Sequence, residues 1–439
     1  MPDEDDLKEK LEKHRFIREK IVRPRMTKAE IFRHLLLWGI GAVLFGFLAA
    51  VTFAVSEPLA KKYLAEEETP ESTSMTISIP KDEMETTAAT EPETEEQTTE
   101  AETEPIEEMV REEVERYTFS LEDMAKMYAG MNEIFQEIDK GIVTVHSVKT
   151  QMDWFNNPVE TTGLYAGVII ASTPEEYLIL TPISAVEGAD ALEVTLPGGD
   201  RVVGQLKGKD QISHMAVIYL AASELDEEMK QQIQVLELGN SYAVKQGELV
   251  LAGGSPAGVV RSVGLGYISY IAKNVSVVDG VSRLFYADAK GDAGLGTFIF
   301  NIKGQVIGWA TDDYKSEGGG MLVIRALSDY KGVLEDLSNG IPAPYFGIMG
   351  LEVTEARHQE GLPLGIFVNS SVADGPAYNA GIQSGDIITR IGEQELVTMK
   401  DFQGCLDQLT VGDTVVVEVQ RFGRDEYTPM EYEVVIGAR

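Results

Sequence analysis

Few residues in this chain could carry out chemistry, so the choice of catalytic groups is narrow. The histidines number five, at 14, 34, 146, 214 and 358, and they bound the candidates for a neutral-pH proton acceptor. His146 sits in the strand-like run TVHSV, where a hydrogen-bonded structural role is the expected one; His214 opens SHMAVIYL. The single cysteine, Cys405, excludes an internal disulfide and a Cys-based structural zinc site. It stands beside Leu406 in a helical stretch and reads as a buried thiol. Histidines this scattered give no His-rich metal site, and GGDRVVGQLKGKD contains no phosphate-loop pattern. We therefore expect neither a metal nor a cofactor.

The elements that must position these residues are strands. From Gly141 onward short apolar runs alternate with Gly and Pro punctuation: GIVTVHSV, TGLYAGVIIAS, EYLILTPI, MAVIYL, GELVLAGGS, SVGLGYISYI, GTFIFNIKGQVIGWA and GMLVIRAL. That spacing predicts a mostly β architecture of barrels or sandwiches rather than βαβ units. Ahead of it, Ser120 is a plausible N-cap for SLEDMAKMYAGMNEIFQEIDKG, with Glu122 and Asp123 favourable in the first turn.

Charge and hydropathy divide the 439 residues further. Leu35 to Val55 carry no charge, and about 1.5 Å of rise per residue makes that stretch as long as a bilayer core of about 30 Å. Arg15, Arg18, Lys20, Arg23, Arg25, Lys28 and Arg33 precede it, which predicts a cytoplasmic N-terminal segment (1–33) and a single transmembrane helix (34–56). Residues 57–116 read as a disordered acidic Thr/Glu-rich linker: between Glu66 and Glu115, 19 carboxylates face only Lys81 and Arg111. A net charge of -35 argues against nucleic acid as a partner. The expected location is the cell membrane of a monoderm bacterium, with the folded head outside the cytoplasm.

Taken in order, GLYAGVIIAS, EYLILTPISAV, SHMAVIYL, GELVLAGGSPAG, SVGLGYIS, GDAGLGTFIFNIKGQVIGWA and GMLVIRAL resemble the HtrA-type trypsin-like serine proteases. The resemblance implies a double β-barrel over 117–340 with a cleft between the barrels, and a homotrimer. It also assigns catalytic positions. The base position, after an apolar strand, holds Ser184; the orienting-aspartate position holds His214; the nucleophile position holds Ala293 or Leu295, depending on whether GDAGLGT or NIKGQVIG sets the register. A triad needs a nucleophile, a base to take its proton and a partner to fix the base. Neither Ala293 nor Leu295 can attack a carbonyl. The remaining route to catalysis pairs His214 or His146 with a displaced serine such as Ser184.

Residues 341–439 resemble a PDZ domain of the same family, through PYFGI and through Pro376, Ala377, Ala380, Gly381, Ile382, Gly385, Asp386 and Ile388. The resemblance makes Tyr345, Phe346, Gly347 and Ile348 a loop whose backbone N–H groups receive a peptide carboxylate, beside a strand edge that pairs with extended peptide. Phe402 and Leu406, one helical turn apart, are candidates for the side-chain pocket, and Asp386 is expected to serve the fold. The expected function is that of a membrane-anchored pseudoprotease, without enzyme activity, binding peptides or unfolded segments, C-termini among them, in envelope protein quality control or signalling. The alternative is an active HtrA-type serine endopeptidase with an atypical catalytic arrangement.

Overall fold

The structure, a computed structural model, describes residues 76–83, 120–152, 158–315 and 320–439. The predicted transmembrane helix at 34–56, the segment 1–33 and most of the acidic run lie outside the described residues. Among the described residues no helix is long and apolar enough to cross a membrane.

Helix α1 (Leu121–Asp139) starts at Ser120, whose side chain accepts from the Asp123 N–H while the Asp123 carboxylate accepts from the Ser120 N–H. This reciprocal cap fixes where the helix begins. Strands β1 (Ile142–Met152), β2 (Pro158–Ser172), β3 (Glu176–Pro182), β4 (Ala191–Thr195), β5 (Arg201–Asp210) and β6 (Met215–Ala221) close into a barrel in the order β1-β2-β3-β6-β5-β4. A short helix α2 (Glu227–Gln232) follows, capped by Asp226. Strands β7 (Leu249–Gly254), β8 (Ser262–Val277), β9 (Gly280–Ala287), β10 (Thr297–Phe300), β11 (Val306–Thr311) and β12 (Leu322–Ala326) close a second barrel with the corresponding strand order.

Burial follows the sequence pattern. The start of β5, RVVGQ, alternates exposed and buried residues, as a strand with one wet face should. By contrast β10 (TFIF) and β11 (VIGWAT) are buried throughout. One face of these strands fills the second barrel, while Phe298, Phe300, Val306 and Trp309 join Val168, Leu178, Leu180 and Val217 of the first barrel in a shared core. Burying each large apolar side chain contributes about 1.5–3 kcal/mol, so the seam that fixes one barrel against the other is a major source of stability.

Helix α3 (Lys331–Ser338) follows the second barrel and packs on β5 and β6 of the first, and the PDZ unit comes next. It contains β13 (Pro344–Tyr345), β14 (Ile348–Glu352), α4 (Glu355–Gln359), β15 (Ile366–Ser371), α5 (Pro376–Ala380), β16 (Ile387–Ile391), β17 (Gln394–Glu395), α6 (Met399–Leu406), β18 (Thr414–Phe422), β19 (Tyr427–Val435) and β20 (Gly437–Ala438). The sheet runs β14-β15-β16-β18-β19, leaving β14 at an edge. Pro376 begins α5, and Gly381 ends it at φ 101°, a left-handed position suited to glycine. Asp386 is almost fully buried, accepts from the Gln383 N–H and pairs with Arg421 at 2.6 Å, which gives it the structural role expected of it.

The acidic linker needs one correction. Residues 76–83 lie against the folded head: Ile79 is buried in the inter-barrel core, and the Ile77 N–H donates to the Asn339 side chain at 2.9 Å. Asp82 pairs with buried Lys331 at 2.9 Å, and Lys81 reaches Asp407 of the PDZ unit at 3.1 Å. Ile77 and Ile79 bring apolar side chains to this stretch, and burying Ile79 helps offset the cost of ordering it.

Candidate functional site

A cavity of about 140 Å³ lies where the barrels meet, lined by Ser184, His214, Ala293, Gly294, Trp309 and Asp313 among others. Each polar group in it is set by a turn. Ser184 lies in the single helical turn Ile183–Ala185 that ends β3. His214 closes the β5–β6 turn at φ 58°, and the buried Asp210 carboxylate holds that turn by accepting from the Ile212 and Ser213 N–H groups. The Ile183 N–H donates to the His214 carbonyl at 2.9 Å, and the Trp309 indole donates to the Ser213 carbonyl at 3.2 Å. These bonds tie the serine turn to the histidine turn.

Asp313 comes from the second barrel, just after β11. Its Oδ2 lies 3.2 Å from Nε2 of His214 and 2.5 Å from Nη2 of Arg325. Arg325 is buried on β12, bonded also to the Tyr330 hydroxyl and lying over the Tyr330 ring. Burial is the largest single influence on the guanidinium and lowers its pKa, but the interactions with Tyr330 and Asp313 together outweigh it and raise the value. The result is a fixed cation that orients Asp313, which in turn faces His214. Sequence reasoning missed both: nothing local marks Asp313 in TDDYK, and Arg325 reads only as part of the strand GMLVIRAL.

Ser184 does not donate to His214; its hydroxyl donates to the Gly294 carbonyl at 2.6 Å. Of the two nucleophile registers, Ala293 faces the cavity. Leu295 is held by its backbone: its N–H donates to the Asp292 carboxylate at 2.8 Å, and its carbonyl accepts from the Ala166 N–H at 2.8 Å. His146 is remote from this cavity. Its Nε2 lies 2.8 Å from the Thr195 hydroxyl, and burial lowers its pKa, as expected of a structural histidine.

The second candidate site is the PDZ loop. Gly347 takes φ 87°, a conformation that favours glycine, and this brings three successive amides onto one anion. Phe346, Gly347 and Ile348 all donate to a carboxylate; Tyr345 does not, its backbone being paired with Gly437 on β20. The carboxylate belongs to Asp279, from the turn between β8 and β9. Phe402 and Leu406, proposed from sequence as pocket residues, are buried in the PDZ core, Phe402 edge-to-face with Phe346 at 5.5 Å between ring centres. Phe402 thus supports the loop from beneath. Cys405 is buried in the same core, which raises the pKa of its thiol.

Two family models match the chain: a Trypsin-like peptidase domain over residues 166–308 and a PDZ domain over residues 347–429. The chain is 26% identical over 339 residues to the Serine protease Do-like HtrA of Bacillus subtilis, covering 72% of each protein. It is 29% identical over 289 residues to the Serine protease Do-like HtrA of Lactobacillus helveticus, covering 62% of this chain and 68% of the relative. Against HhoB of Synechocystis it is 29% identical over 276 residues, covering 59% of this chain and 64% of that protein. The solved structure of the HtrA-type protease AlgW with decapeptide shares the fold, with a TM-score of 0.50 at 21% identity over 70% of this chain and 98% of that one. Relatives named as serine proteases overturn the expectation of a chain without enzyme activity.

Proposed function

We propose that this chain, with its trypsin-like peptidase and PDZ domains, is an HtrA-type serine endopeptidase whose working set is Ser184, His214 and Asp313, with peptide segments recognised by the PDZ unit. One observation supports the proposal: these three side chains line the same cavity between the barrels, and His214 Nε2 lies 3.2 Å from the Asp313 carboxylate. In this reading the Ser184 hydroxyl leaves the Gly294 carbonyl and gives its proton to Nδ1 of His214 as its oxygen attacks the peptide carbonyl. Asp313 stabilises the imidazolium that forms, and Arg325 keeps Asp313 in place. His214 then returns the proton to the leaving amine, and water completes hydrolysis of the acyl-serine by the same base. The reading also takes the apolar stretch 34–56 as a membrane anchor, the head as extracytoplasmic and the assembly as a homotrimer.

The test is fluorophosphonate labelling of the full chain beside turnover of casein. Labelling and turnover are both expected, and Ser184→Ala should remove them, with a loss of about 10⁴–10⁶-fold in turnover. A wild-type chain that neither labels nor cleaves, or labelling that survives Ser184→Ala, would refute the assignment.

A further inference from the structure

The β8–β9 hairpin places its turn in the PDZ groove. Oδ1 and Oδ2 of Asp279 accept from Phe346 N at 2.8 Å, Gly347 N at 2.7 and 3.0 Å, and Ile348 N at 2.9 Å. The Asp279 N–H donates to the Ile348 carbonyl at 2.7 Å, and Val278 pairs antiparallel with Met349. Ser276 adds a bond to the Gly350 carbonyl at 2.9 Å. The hairpin therefore occupies the free edge of β14 by strand addition, with a carboxylate in the amide loop and Val281 packed on the PDZ core. Gly280 lies close against α6: a Cβ there would stand 2.3 Å from the Gln403 amide, which would have to swing aside.

From this geometry we infer that the hairpin is an internal ligand of the PDZ groove, its Asp279 side chain standing in for the terminal carboxylate of a peptide. An external peptide with a free C-terminus can bind only by displacing it. No basic side chain forms an ion pair with Asp279 among the described residues, so the anion is held by backbone amides, which would serve a main-chain carboxylate equally well. Burial raises the Asp279 pKa, opposed by the three amides and by Arg439; an outside carboxylate must bear the same desolvation. Occupancy by the hairpin lowers apparent affinity in proportion to the fraction of open groove. The inference rests on the peptide-binding half of the proposed function and is independent of Ser184.

Asp279→Gly tests it. The residue sits at φ 60°, which glycine tolerates, so the turn is retained while the carboxylate is lost. The probe is a pool of fluorescent decapeptides randomised at the last four positions, as free acids or amides, titrated into the full chain by anisotropy. Free acids should bind Asp279→Gly at least about 10-fold more tightly than wild type, and amides should bind neither. On wild type, saturating free-acid pool should speed hydrogen exchange across 278–281 while 346–348 stay protected. Equal acid affinity for wild type and variant would overturn the internal-ligand inference alone. No acid-over-amide preference in either protein would overturn it together with the peptide-binding reading. A hairpin whose exchange is unchanged at saturation would also overturn displacement.

Discussion

Arg421→Met should open the PDZ unit while leaving the barrels closed. Nε and Nη2 of Arg421 grip Asp386 at 2.6 and 2.7 Å, and Nη2 also donates to the Gly381 carbonyl at 2.9 Å. The Asp386 side chain is only 1% exposed, whereas that of Arg421 is 27% exposed. Removing one partner of a buried pair costs about 3–5 kcal/mol, because the remaining charge stays desolvated. Arg421 is partly wet, and Asp386 retains its bond from the Gln383 N–H, so we take the low end, about 3 kcal/mol. At about 1.4 kcal/mol per tenfold, that is roughly a hundredfold rise in the open population. Native-state hydrogen exchange read on β16 and β18 should accelerate by that factor, with β7 and β10 unchanged. The barrels' Trp309 would not report the event, which is why a local readout is required. Acceleration below about fivefold, or equal acceleration in the barrel strands, would refute the reasoning. Removing both partners, in Arg421→Met with Asp386→Leu, should recover part of the loss, since no unpaired charge is then left behind.

Asp313→Asn should lower kcat by about 10³–10⁴-fold with little change in KM, because the carboxylate acts on the imidazolium rather than on bound peptide; unchanged kcat in a stopped assay would remove Asp313 from the set. Phe402→Ala should cost about 3–5 kcal/mol and strip exchange protection from β14 and β15. A variant that kept its protection but changed peptide preference would return Phe402 to the ligand pocket. Gly347→Ala should destabilise the loop by about 1–2 kcal/mol through its left-handed φ, and its Cβ would stand 3.1 Å from the Tyr345 ring. Differential scanning calorimetry with peptide titration would show this as lower PDZ stability and weaker binding, and an unaffected variant would argue against the amide loop.

What the sequence reveals depends on how local the cause is. The PDZ signature is legible because a proline start, a glycine stop and a buried Asp386 are decided within a few residues. The barrels are legible because each strand carries its own burial pattern. Asp279 is different. VVDG reads as an ordinary hairpin turn, and nothing near it indicates that its carboxylate meets amides 67 to 69 residues further on. Asp313 gains meaning only once β11 and the β5–β6 turn face one cavity. Residues 76–83 could have been found: TISIP alternates apolar and polar residues inside an acidic run, a weak strand-like signal that the surrounding charge obscures.

The docking of residues 76–83 changes what a break in the acidic run would do. The chain meets the head first at Ile77 and Ile79, passes through 84–119, and rejoins it at Ser120. A nick between 84 and 119 would therefore leave two polypeptides still clasped through the bonds to Asn339, Glu335 and Lys331. Residues 76–83 thus act as a non-covalent clasp, so that continuity of the backbone beyond them is not what keeps this stretch on the head.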